Sequence, residues 1–235
     1  MPKLNNIKHV FFDLDKTLWD FDENSRQALI ELYELNTLKQ FGVNDFEKFY
    51  THYSVINDDC WEQYRNNQMT KSYLRHQRFY LTLLKFGIDS RSLAKKIGVE
   101  YVEISPTKNK LIEGANEILN YLSDKYVLYI ITNGFQEVQH LKLKNTGIDH
   151  YFKDVITSER VGRRKPDPQI FDFAIQKSGG TVEESVMIGD DFYIDVKGAA
   201  DVGIKSIWFN PHQKKVEESE RMISVRMLDE IKLYL

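Results

Sequence analysis

Two aspartates, Asp13 and Asp15, follow the apolar residues Val10, Phe11 and Phe12 in the stretch HVFFDLDKTLWDF. If that apolar run is a buried strand, both acids sit at its end, where like charges raise each other's proton affinity and cost free energy unless positive charge lies near. Three later stretches also end apolar runs on reactive groups: Thr132, Asn133 and Gly134 after YVLYII, Lys165 within ERVGRRKPDP, and Asp190 with Asp191 in SVMIGDD. Several acids gathered in one place demand a cation, and hard carboxylate oxygens with few nitrogens or sulfurs select Mg²⁺ over zinc. Lys165 would be the second positive charge. Each stretch alone has an ordinary explanation: DxD and TNG as turns, KPDP as a loop before a helix, GDD as a helix cap. Their order after four separate buried runs is what argues for a shared site.

The elements that would position these groups can be read from the apolar patterning. Short β-branched or aromatic runs occur at HVFFD, at residues 126–134, at DVITS (154–158), at SVMIGDD (185–191) and at KSIWFN (205–210). They read as strands buried on both faces. Helical patterns follow at 113–123, 135–146, 168–178, 192–202 and 225–233. Strand–helix alternation predicts an α/β fold, a three-layer α/β/α, Rossmann-like parallel sheet, with ligands bound beyond the carboxyl ends of its strands. Residues 22–105 break the alternation, with helical patterns at 24–38, 45–65, 71–86 and 90–103. That is far too long for a crossover loop, so an inserted four-helix subdomain is expected there, with residues 1–21 and 106–235 forming the α/β core. Asp22 or Asn24 is expected to cap its first helix, and Trp19 to Asp22 to be the hinge into it. The insert's many Tyr, Phe and Trp residues are expected mostly to form its core.

A chain of 235 residues with 42% hydrophobic content can bury a substantial core. Lys and Arg number 32 against 35 Asp and Glu, so no global field favours a nucleic acid polymer or an anionic membrane. Small-molecule partners are expected, and the oligomeric state is left open. Cys60 is the only cysteine, which excludes an intramolecular disulfide and suits a reducing compartment. The first ten residues lack a secretory pattern, and no stretch approaches the roughly 20 apolar residues of a membrane span, so a cytoplasmic location is expected. The charged run HQKKVEESER (212–221) is expected to be a solvated loop or helix face.

Together the four stretches resemble the signature of the haloacid dehalogenase superfamily of phosphohydrolases. DLDKT is similar to the first motif DxDxT, ITNG to the second, GRRKPDP to the third and GDDFYID to the fourth, so the resemblance spans residues 13–195. The helical insert falls between the first and second motifs, as in the branch with a helical cap. The resemblance implies Asp13 as nucleophile and Asp15 as general acid/base, with Thr132, Asn133, Gly134 and Lys165 binding phosphate. It also implies Mg²⁺ held by Asp13, the backbone carbonyl of Asp15 and Asp190. Asp195 would be the fourth motif's second acid, supporting that set, and Asp191 either does the same or caps the following helix. Lys16 stands where many relatives carry glycine, and Arg163 and Arg164 compete with Lys165, which directly precedes PDP.

Dehalogenases of the superfamily generally lack the equivalent of Asp15, since a halide needs no proton, so phosphate chemistry is expected. A phosphomutase would keep this acid, and a phospho-aspartate switch would share the acids, the Thr and the Lys. DLDKTLWDFDENS is similar to the branch containing pyrimidine 5′-nucleotidases. That similarity implies a Mg²⁺-dependent phosphatase acting on nucleoside 5′-monophosphates, with phosphosugars and phosphoglycolate as competing substrates.

Overall fold

The structure is a computed structural model describing residues 3–216 and 222–235. Six short strands, β1 (His9–Phe12), β2 (Val127–Thr132), β3 (Phe152–Thr157), β4 (Ser185–Gly189), β5 (Lys205–Phe209) and β6 (Met222–Val225), form one sheet. The order is β3-β2-β1-β4-β5-β6, and every neighbouring pair is parallel. Parallel sheets are covered on both faces, and the side-chain alternation here feeds two separate cores. Val10, Phe12, Leu128, Ile130, Val186, Ile188, Ile207 and Phe209 face one way. Phe11, Tyr129, Ile131, Ile156 and Met187 face the other.

After β1 the chain runs through helices α1 (Phe21–Leu35), α2 (Phe46–Arg65), α3 (Lys71–Leu84) and α4 (Arg91–Ile104). It then returns through α5 (Ala115–Ser123), which packs on the first core beside the C-terminal Leu228 and Ile231. Helix α6 (Gln136–Thr146) follows β2, and a single turn α7 (Ser158–Val161) follows β3. Helix α8 (Pro168–Ser178) brings Ile170, Phe171 and Ala174 to the opposite face. A π-helical turn over Phe192–Lys197 runs into α9 (Gly198–Asp201) before β5.

Two expectations fail here. A helix over 225–233 does not form: Met222–Val225 is a sixth strand, followed by a 3-10 turn at Leu228–Leu233. The β-branched pair Ile223 and Val225 can extend the sheet by pairing opposite Ile207 and Phe209, and that tertiary pairing overrides the local helical pattern. Nor does Asp22 or Asn24 begin α1, which starts at Phe21 and so places Asp22 and Glu23 in its first turn, where acids oppose the helix dipole. Residues 217–221 of the charged run lie outside the described residues.

The chain divides into two compact units, one ending at Phe21 and resuming at Asn109, the other Asp22–Lys108. The helical unit closes around Leu29, Leu32, Phe49, Tyr53, Phe79, Leu83, Ile97 and Tyr101, all nearly inaccessible. Its later helices start on side-chain caps, Asp45, Thr70 and Ser90 each accepting from the backbone N–H three residues on. One charge is buried inside it: Arg78 donates to Asn57 Oδ1 at 2.8 Å and lies against the rings of Tyr53, Phe79 and Tyr101. In the sheet unit Trp19 is fully buried, with bridge pairings to Asp15 and Leu111. Among the described residues no helix is long and apolar enough to cross a membrane.

Candidate active site

Strand β1 is central, with β2 and β4 on either side, so the strand order reverses at its carboxyl end, the place where open α/β sheets leave a crevice for ligands. Asp13 emerges there, its N–H donating to Ile188 O of β4 at 2.9 Å. Thr132 ends β2, and Asp190 follows β4 directly. Lys165 reaches the same point from the loop between α7 and α8. Its ammonium donates to Asp13 Oδ1 and to Ile131 O, both at 2.6 Å, and lies 2.7 Å from Asp195 Oδ1. Two of its protons are therefore spent on those acceptors, and the side chain is about 1% exposed.

One ligand oxygen each from Asp13, Asp190 and Asp195 lies within 4.8 Å of the other two. With all three ionised, one ammonium would leave two negative charges in excess, Asp13 and Asp195 being buried and Asp190 half-buried. Burial, opposed by Lys165 and reinforced by Asp195 and Asp15, pushes Asp13 up to about 7. Asp190 is driven well above the usual carboxylate range by burial and then by Asp13 and Asp195. Burial also raises Asp195, against the pull of Lys165. Burial opposes the Lys165 ammonium too, but Asp13 and Asp195 outweigh it and leave that group raised. Three carboxylates gathered with one ammonium form an all-oxygen donor set of the kind a hard divalent cation fits, and such a cation would favour their ionised forms. Lys165 touches Asp13 as well as Asp195, and Asp195 Oδ2 also accepts from the Asp191 N–H at 3.2 Å.

The surrounding residues fix these groups. Asn133 clamps the Lys165 backbone from both sides, accepting from its N–H at 2.8 Å and donating to its carbonyl at 2.9 Å. Gly134 N–H donates to Thr132 Oγ1 at 3.0 Å, closing the turn after β2. That bond occupies the donor expected to face a phosphoryl oxygen, and leaves the Thr132 hydroxyl proton for another acceptor. Asp191 is the helix cap, its Oδ1 accepting from Tyr193 and Ile194 N–H at 3.0 Å each. Gly189 cannot be replaced by a larger residue, since a Cβ there would lie 2.4 Å from Asp195 Oδ2.

Three further residues belong to the site. Thr17, fully buried, donates to Asp190 Oδ1 at 3.2 Å. Gln139 donates to Asp15 Oδ2 at 3.0 Å, and Lys142 donates to Asp15 Oδ1 at 2.5 Å. Thr17 was visible as the last letter of DxDxT. Gln139 and Lys142 lie three apart on one face of α6, a helical neighbour spacing that says nothing by itself about which face turns inward. Arg163 is exposed and engaged with Gln169 and Asp167, apart from the acids. Lys16 adopts a left-handed φ of 65°, a conformation that glycine enters without strain, and its charge favours the ionised form of Asp190.

A family model described as haloacid dehalogenase-like hydrolase matches residues 7–203. The pyrimidine 5′-nucleotidase PynA of Streptococcus pneumoniae is 32% identical over 209 residues, covering 87% of this chain and 84% of that protein. The pyrimidine 5′-nucleotidase YjjG of Escherichia coli is 31% identical over 210 residues, covering 89% of this chain and 88% of that one. A crystal structure of the HAD-hydrolase YfnB from Bacillus subtilis, bound to magnesium, superposes with a TM-score of 0.87 at 26% identity, over 97% of this chain and 98% of its own. With the family model matching most of its length and these relatives alike across both chains, the chain belongs to the haloacid dehalogenase-like hydrolases.

Proposed function

We propose that this hydrolase is a Mg²⁺-dependent phosphatase that cleaves a small phosphate monoester, a nucleoside 5′-monophosphate, through a phosphoryl group carried on Asp13. The observation that carries the mechanism is the buried Asp13–Lys165 pair with a second acid, Asp15, two residues further on. The likeness to two pyrimidine 5′-nucleotidases supports the substrate.

Lys165 holds Asp13 Oδ1, which leaves Oδ2 as the attacking oxygen. Attack on phosphorus forms an acyl phosphate on Asp13 and breaks the ester P–O bond, splitting one hard displacement into two easier ones. Asp15 delivers a proton to the departing alcohol oxygen. It then takes one from the water that attacks the acyl phosphate, releasing inorganic phosphate and restoring the Asp13 carboxylate. The Thr132 hydroxyl, with its proton unspent, donates to a phosphoryl oxygen, and Lys165 and Asn133 keep that loop in place. Mg²⁺ held by Asp13, the Asp15 carbonyl and Asp190 would supply the positive charge that lets an anionic ester approach a carboxylate. Within the helical unit, rings that are not fully buried, such as Trp61 and Tyr73, have faces of the kind on which a base can stack.

Released phosphate measured across nucleoside monophosphates, sugar phosphates and phosphoglycolate, with and without chelator, tests this reading. Preferential turnover of nucleoside monophosphates, abolished by chelator and by Asp13→Asn, is expected. Turnover that survives either treatment would sink the mechanism, and a preference for sugar phosphates would remove only the substrate.

A further inference from the structure

Asp15 sits in a setting that the acid cluster does not explain. Its two oxygens are each taken by a different side chain of α6, Oδ1 by the Lys142 ammonium at 2.5 Å and Oδ2 by the Gln139 amide at 3.0 Å. Neither donor is a surface group. The Lys142 side chain is 4% exposed, whereas that of Asp15 is 26% exposed. Gln139 is 2% exposed, and its Oε1 has no hydrogen-bond donor among the described residues. A buried lysine must be paired to be tolerated, and a buried acceptor without a donor is costly to keep. An apolar side chain in either place would fill the same volume without those costs.

The surroundings fix both donors. Lys142 Nζ lies 3.8 Å from the ring centroid of Trp19, which is fully buried. Gln139 lies so close to Gly134 that a Cβ there would fall 1.9 Å from its amide nitrogen, so the side chain occupies the space that this glycine leaves beside the β2 turn. Gln139 and Lys142 thus hold the Asp15 carboxylate from one helix face, independently of the Lys165 contact that holds Asp13.

We propose that Lys142 and Gln139 are positioning residues for Asp15: they touch neither phosphate nor metal, and they set the place from which Asp15 exchanges protons with the leaving alcohol and the attacking water. The proposal rests on the role given to Asp15 above. Each carboxylate oxygen keeps a second lone pair outside its α6 contact, so holding the group does not block proton transfer. A misplacement of the acid/base by about an ångström is enough to lower turnover about 100-fold while substrate binding persists.

The test is a double-mutant cycle on the full chain with Mg²⁺, using steady-state kinetics with a nucleoside monophosphate. Lys142→Met and Gln139→Leu are expected to lower kcat about 10- to 100-fold with little change in KM, and Lys142→Arg to restore part of the loss. In an Asp15→Asn background the same substitutions should cost nothing further, because they act through the missing carboxylate. Thermal unfolding of each variant separates misfolding from misplacement. Undiminished kcat in folded Lys142→Met, or an equal loss with and without Asp15, would overturn the proposal. If Asp15→Asn alone keeps full turnover, the role given to Asp15 fails instead, and the two failures are told apart by that single variant.

Discussion

The two acids that open the sheet unit are held in opposite ways. Asp13 is almost inaccessible, shares its lysine with Asp195, and lies in a cluster of three acids gathered with that one lysine. Asp15 has a lysine to itself, a second donor in Gln139, and a side chain a quarter open to solvent. The difference fits the roles proposed for the two acids. A nucleophile that needs a cation can be gathered with other acids, because the cation offsets the crowding. A proton carrier has to remain reachable by a leaving oxygen and a water, so it is better paired singly and held at an accessible edge.

Removing each lysine is the sharpest way to break this comparison. Lys165→Met strands Asp13 and Asp195 as buried carboxylates and should destabilise the fold by about 3–5 kcal/mol, read by denaturant unfolding without added cation. Lys142→Met leaves a carboxylate that water reaches and replaces a buried cation by apolar volume, so its stability should move by about 1 kcal/mol or less. Equal costs for the two would mean that the two settings do not differ as described. A divalent cation sharpens the contrast from the other side. Mg²⁺ at a hundred times its dissociation constant should stabilise the protein by about 2.7 kcal/mol in thermal unfolding, and Asp190→Asn, but not Asp15→Asn, should abolish that gain. The smallest effect is expected at Lys16. Lys16→Gly removes left-handed strain worth about 1–2 kcal/mol, offset in part by about 0.5–1 kcal/mol of added chain entropy, and removes a charge that would compete with a cation for Asp190, so both the melting temperature and Mg²⁺ affinity should rise slightly.

Much of this molecule is legible from patterning. Five of the six strands follow from β-branched runs buried on both faces, and four helices stand in the insert, because in these elements local propensity and tertiary burial agree. They part company at β6, where four residues join the sheet edge only because β5 offers a partner. Asp13, Thr132 and Asp190 could be found because each ends or directly follows a buried run at the same edge, and Lys165 and Asp195 because they stand in stretches that resemble the family's motifs. Gln139 and Lys142 could not, since α6 is mostly polar and only the packed fold shows that Lys142 lies beneath Asp15 and against Trp19.

The division of labour between the two acids is tested most directly by locating the phosphoryl group. Asp15→Asn protein is mixed with Mg²⁺ and p-nitrophenyl phosphate, whose leaving group needs no proton, then quenched in acid and mapped by peptide mass spectrometry. The expected result is one phosphoryl group accumulating on the peptide that contains Asp13, because the base that would clear it is gone, with Asp13→Asn giving none. A phosphoryl group found on any other residue, or p-nitrophenol released in many turnovers with Asp13 unmodified, would contradict the account.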